Sequence, residues 1–202
     1  MAGQAGSAKL KMSGTRLLPA PQSQVWEKLN DIETLKRCIP GCQSLEEAGD
    51  NQLKATVALK VGPVNAKFTG DVELSDMDPP NSYRISGSGK GGPAGSATGG
   101  ADVKLEPADG GTLLSYDVDA KVAGKIAQLG ARLIDGTAAS LAEKFFDNFA
   151  AELTPDDDGS DAAEAGQDSK EKAVPSKGLS RNQLILGGAV IAVMIIYYLL
   201  SP

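Results

Sequence analysis

Histidine is absent from all 202 residues. That excludes Ser-His-Asp and Cys-His nucleophilic sites, His-ligated zinc and imidazole general-base chemistry, whatever the fold. Cysteine is nearly absent too, with two residues, Cys38 and Cys42, in C-I-P-G-C. The spacing is one residue longer than the C-x-x-C of redox motifs, and two thiolates alone do not complete a zinc site. Both read as small, reduced, apolar residues beside a Pro-Gly turn. Aromatic residues make up only 4% of the chain, so each aromatic position carries information. Clustered positive charge is also lacking. Residues 1–155 hold 16 Lys and Arg against 19 Asp and Glu, a net of −3 of the chain's −6. Without basic clusters there is no electrostatic case for nucleic-acid binding.

What is present divides the chain into unequal parts. Residues 1–9 read as a flexible N-terminus and 10–153 as a folded domain. From Thr154 to Gly178 the sequence is rich in Asp, Gly, Ser, Ala and Lys, with seven acids between Asp156 and Glu171. Such a stretch buries too little apolar surface to offset its ordering entropy, so a disordered acidic linker is expected. Residues 179–202 carry an uncharged apolar run, Leu184–Leu200. Its seventeen residues span about 26 Å as a helix, close to the ~30 Å hydrocarbon core, and Tyr197 and Tyr198 suit the interface near its end. The run is apolar on every side, unlike a surface helix. Lys170, Lys172, Lys177 and Arg181 precede it, and the N-terminus MAGQAGSAKLKM shows no apolar signal-peptide core. A single C-terminal anchor in the cytoplasmic membrane is expected, with the domain on the cytoplasmic side.

Within the domain, alternation marks strands. Leu10–Leu18 precedes Pro19, and Pro21 opens a helix with Val25, Trp26 and Leu29 on its apolar face. Ile32 and Leu35 fit a second short helical turn before Cys38. Gln52–Val61 and Val64–Leu74 alternate with period two, joined at Gly62-Pro63. Further strands are expected from Tyr83 and Ile85, around Val103 and Leu105, and over Thr112–Val122, after the Asp109-Gly110-Gly111 hairpin signal. The period then changes. Ile126, Leu129, Leu133, Thr137, Leu141, Phe145 and Phe149 recur every three or four residues, which predicts one long amphipathic helix over about Gly124–Leu153. The whole is α+β: a curved antiparallel sheet with a long final helix against it.

Gly87–Gly100 reads GSGKGGPAGSATGG. It lacks G-K-[ST], and no helix follows its G-x-G, so it does not cradle phosphate. It reads instead as two strands and a hairpin stripped of side chains. Either a ligand or another backbone approaches there, or the stretch is a flexible tip.

These segments carry a resemblance. KMSGTRLLPAPQSQVWEKLNDIETLKRCIPGCQSLEE, LKVGPVNAKFTGDVELSDMDPP, GGPAGSATGGADVKL and AQLGARLIDGTAASLAEKFF are similar to the CoxG family, named for the G subunit of carbon monoxide dehydrogenase, across about residues 10–153. The resemblance implies the START-like (SRPBCC) helix-grip fold, in which a sheet wraps a long C-terminal helix around a hydrophobic cavity. It implies a non-enzymatic accessory role for molybdenum-containing CO dehydrogenase or a related hydroxylase at the cytoplasmic membrane. It further suggests electron transfer to a respiratory quinone, menaquinone or similar, lifted from the bilayer and held non-covalently. No metal site is expected. The cavity lining would draw on Val57, Leu59, Phe68, Tyr83, Tyr116, Leu129, Leu133 and Ile134. The alternative is a ligand-free adaptor that docks the dehydrogenase at the membrane. Superfamily cyclases raise an enzymatic option through Asp117, Asp119, Arg132 and Asp135, but Asp117 and Asp119 alternate with apolar residues and read as solvent-facing.

Overall fold

The structure is a computed structural model that describes residues 7–61 and 63–154. The membrane span expected at 184–200, and all of the expected linker beyond Thr154, lie outside the described residues. Among those described, no helix is long and apolar enough to cross a membrane. The chain runs β1 (Ser7–Leu18), α1 (Gln22–Leu29), α2 (Ile32–Cys38), β2 (Cys42–Gly49), β3 (Gln52–Val61), β4 (Val64–Asp78), β5 (Ser82–Lys90), β6 (Ser96–Ala108), β7 (Gly111–Ala123) and α3 (Ala131–Leu153). Short 3-10 turns occupy Gly92–Ala94 and Ala127–Leu129. The strands form one antiparallel sheet in the order β1-β7-β6-β5-β4-β3-β2.

Local chemistry sets the corners. Asp31 caps α2, its carboxylate accepting from Thr34 N at 2.9 Å. Gly110 and Gly111 take φ of 86° and 148° in the β6–β7 hairpin. A Cβ on Gly111 would lie 2.0 Å from Leu18 O, so only glycine lets the hairpin close against the end of β1. Beside it, the buried Thr112 donates from Oγ1 to Ala20 O at 2.7 Å and fixes the β1–α1 corner.

Residues 7–9, expected within a flexible N-terminus, instead open β1 and pair with residues 121–123 of β7. Two further features differ from the sequence reading. β2 carries no alternation beyond one fully buried residue, Leu45, because it is an edge strand with little of the core to cover, and periodicity does not reveal it. The final helix starts at Ala131, seven residues later than expected. Gly130 takes φ of 90°, a left-handed value that breaks the helix path. Ile126 and Leu129 do recur at helical spacing, but they belong to a separate connection containing the Ala127–Leu129 turn.

The long helix is fixed unevenly. Near its C-terminus Arg37 donates from Nε and one Nη to both carboxylate oxygens of Glu152, at 2.7 Å each. Asn148 donates to Cys38 O at 3.0 Å, and Arg16 pairs with Asp147. Phe145, Phe146 and Phe149 are buried there, with Phe145 and Phe149 stacked at 5.6 Å. At its N-terminus no side chain caps the helix and no acid stands in the first turn.

Candidate ligand-binding interior

Facing residues of antiparallel strands share one face of a sheet, so register alone lays out the inner surface in rows. One row crosses Ala55, Gly70, Gly89, Ala97 and Val122. The next crosses Leu53, Val72, Gly87, Gly99, Ala120 and Leu10. Of the eight positions that β4–β7 supply to these rows, six are Gly or Ala: Gly70, Gly87, Gly89, Ala97, Gly99 and Ala120. The sheet therefore has a nearly bare floor at its centre. Gly99 has a second constraint, since a Cβ there would lie 2.6 Å from Asp119 O.

Large side chains border this floor. Toward α1, the rows are Leu74, Ile85, Ala101, Val118 and Met12, then Tyr83, Val103, Tyr116 and Gly14. Trp26 of α1 meets Tyr83 edge-on, with ring centres 5.5 Å apart. Tyr116 lies across Gly14, where a Cβ would fall 2.4 Å from its hydroxyl oxygen, and stacks on Phe146 at 5.7 Å. At the other end the Phe68 ring takes the place a side chain on Gly91 would need. Helix α3 covers this face and adds Ile134, Ala138, Leu141 and Phe145 to the same apolar cluster.

The structure brings together five of the eight sequence-predicted lining residues. Val57 and Phe68 are cross-strand partners with no exposed surface, Leu59 and Tyr83 share their face, and Ile134 is buried from α3. Tyr116 is half-buried near β1, and Leu129 is half-buried on the 3-10 turn. Leu133 departs from the inward position expected of it: at 40% exposed it stands at the edge of the helix's apolar face, because the next residue, Ile134, takes the inward place in the same turn. The residues that sequence reasoning misses are the small ones. Gly70 gives no signal within an alternating strand, whereas Gly87, Gly89 and Gly99 belong to the stripped hairpin and do.

Among the described residues no charged side chain is buried, and the buried polar residues Thr34 and Thr112 sit in capping and corner bonds outside the floor. Tyr83 is wholly enclosed, and burial pushes its phenol up, so it keeps its proton. Burial likewise pushes the Cys38 thiol up to about 12. Asp117, Arg132 and Asp135 are exposed, and the exposed Asp119 faces Lys9 and Lys11 at 3.4 Å each. These are ordinary surface groups. Two open concavities of about 490 and 480 Å³ lie on the outer face of the sheet. The first runs over Asp71, Glu73, Ser86, Ser88 and Thr98 and also touches Val72, Gly87 and Gly99; the second runs over Asp76, Asp78 and the Arg84–Asp102 ion pair and also touches Tyr83, Val103 and Tyr116. No group of three or more potential metal ligands occurs among the described residues.

Among solved structures, the chain resembles a conserved protein from Geobacillus kaustophilus at 34% identity, with a TM-score of 0.68 over 71% of this chain and 95% of that one. It shares its fold with the Zhui aromatase/cyclase from Streptomyces sp. R1128 (13% identity, TM-score 0.52, 73% and 93% covered). It also shares it with Ara h 8.0201 (16% identity, TM-score 0.51, 72% and 98% covered). The observed sheet and C-terminal helix are the helix-grip arrangement that these structures share. Comparison with curated proteins gives no match. The family model for the carbon monoxide dehydrogenase G subunit (CoxG) matches residues 14–154. With that match over most of its length, the chain belongs to the CoxG family.

Proposed function

We propose that this protein is a non-catalytic accessory subunit of a molybdenum-containing CO dehydrogenase, and that it houses a respiratory quinone of the menaquinone type between its sheet and α3. The observation that carries the reading is the bare floor. Six Gly and Ala positions on four adjacent strands carry nothing larger than a methyl group where a packed core would place branched side chains. An interior of this kind, apolar and rimmed by aromatic rings, suits a long isoprenoid chain. Entry falls at the end where α3 lacks a cap and where Leu129 is half-buried and Leu133 is exposed. The apolar run Leu184–Leu200 would anchor the protein in the cytoplasmic membrane, and residues 155–183 would serve as the leash. Confinement near the quinone pool then raises the effective concentration without any tighter contact.

The solved relative from Geobacillus kaustophilus is matched over 95% of its length, which supports taking residues 1–154 as a self-sufficient folding unit. The test is mass spectrometry of an organic extract from residues 1–154 expressed in a quinone-producing host and purified without detergent. Bound quinone at a substantial fraction of one per chain is expected. If none is found and added menaquinone-4 does not bind, the carrier reading fails and a ligand-free docking adaptor remains.

A further inference from the structure

Three buried polar atoms have no hydrogen-bond partner among the described residues: Asn30 Oδ1, Asn51 Oδ1 and the Tyr83 hydroxyl. Two belong to asparagines that are only partly buried, at corners of the chain. Asn30 already donates its amide nitrogen to Trp26 O, at the end of α1. Asn51 sits in the β2–β3 turn with φ of 57°. Tyr83 is different. It lies on the inner face of β5, is 2% exposed, and carries the one fully buried hydroxyl without a partner among the described residues, in a row it shares with Val103 and the half-buried Tyr116. Leaving a buried hydroxyl unmet costs about 1–3 kcal/mol, and phenylalanine would fill the same space without that cost.

Its position also has a direction. Along β5, Tyr83 precedes Gly87 by four residues and Gly89 by six, or about 13 and 20 Å. Tyr83 lies toward α1, where α3 is clamped. Gly89 lies toward the 3-10 turns and the uncapped start of α3.

We propose that the Tyr83 hydroxyl is the polar anchor of the interior, donating a hydrogen bond to a carbonyl oxygen on the head of an apolar, chain-bearing ligand that enters head first. The chain then runs back over Gly87 and Gly89 toward Leu129 and Leu133. This assignment rests on the ligand-binding reading above. It adds the residue that holds the head group and the direction in which the ligand lies.

Trp26, the only tryptophan in the chain, lies 5.5 Å from Tyr83 and reports on the anchor directly. Residues 1–154 and their Tyr83→Phe variant, both stripped of lipid, are titrated with menaquinone-4 and with phytane, a branched hydrocarbon that lacks a carbonyl. The wild type is expected to bind menaquinone-4 with quenching of Trp26. The variant should bind it about tenfold more weakly, the worth of one hydrogen bond at its upper range. Phytane affinity should be equal in the two proteins. The infrared carbonyl stretch of bound menaquinone-4 should rise in the variant as the bond is lost. Lipid-free Tyr83→Phe should melt no lower than the wild type, since it removes an orphaned group.

Equal menaquinone-4 affinity and equal carbonyl frequency in the two proteins would overturn the anchor while leaving the carrier reading intact. Binding of neither probe by the wild type would overturn both. A Tyr83→Phe variant that melts several degrees lower would show that the hydroxyl already has a protein partner, and would also overturn the anchor.

Discussion

Replacing Gly87 with valine puts three carbons onto the centre of the floor, between Val72 on β4 and Gly99 on β6. The backbone there is an ordinary extended strand paired on both sides, so valine suits it conformationally. Two pictures of the space above then diverge. If the floor is one side of a ligand chamber, the valine enters unfilled or lipid-filled volume. Three buried carbons at about 0.8 kcal/mol each set an upper bound near 2.4 kcal/mol of added stability in the lipid-free protein. If the floor is instead a tightly packed sheet–helix contact, overpacking costs about 1–3 kcal/mol. At about 2–4 °C per kcal/mol for a domain near 150 residues, that is a fall of roughly 2–12 °C. The assay is calorimetry of lipid-free residues 1–154 together with menaquinone-4 titration. The lipid-free state matters because bound ligand itself raises the melting temperature of the wild type. The expected result is an unchanged or higher melting temperature with menaquinone-4 affinity down at least tenfold. A variant that melts several degrees lower, or one that binds menaquinone-4 as well as the wild type, would refute the reasoning.

Other consequences concern the frame. Thr112→Val removes the donor to Ala20 O in a buried corner and is expected to cost about 1–3 kcal/mol in urea unfolding, with binding unchanged. The Arg37 guanidinium holds the Glu152 carboxyl below the usual glutamate range. A carboxyl depressed in the folded state stabilises above its unfolded value and loses that stabilisation as the pH falls through the folded one. The wild type should therefore lose stability from about pH 4.5 downward more steeply than Glu152→Gln. The difference should be small, since the pair is partly exposed. Cys38, buried and pushed up to about 12, should resist thiol reagents at pH 8 in the folded protein and react fully once unfolded, as read by intact-mass spectrometry.

How far the sequence foretells this arrangement depends on whether a residue's neighbours lie along the chain or across the sheet. Leu53, Ala55, Val57 and Leu59 declare their shared face by alternation, as do Phe68, Val72 and Leu74. Periodicity misplaces the start of α3 because Ile126 and Leu129 mimic helical spacing, and only the left-handed backbone of Gly130 separates them from the helix. It misses β2 because a half-covered edge strand needs little apolar repetition. The floor shows the limit most clearly. Gly70 looks like an isolated weak point in β4 until pairing sets it beside Gly89, with Ala97 one strand further on. Tyr83 is legible as an inward aromatic residue. That its hydroxyl lacks a partner depends on every surrounding element at once, which no local pattern encodes.

The unequal fastening of α3 bears on how the domain meets a surface. Beyond Thr154 the chain departs from the pole secured by Arg37, Asn148 and Arg16, so traction from that direction falls on those bonds rather than on the bare first turn. The two poles are separated by the length of the helix, 23 residues or about 34 Å. With the downstream run embedded as proposed, Leu133 touches the same surface only if the body lies over or inverts. The 29 residues from 155 to 183 can stretch to roughly 100 Å, ample for either posture.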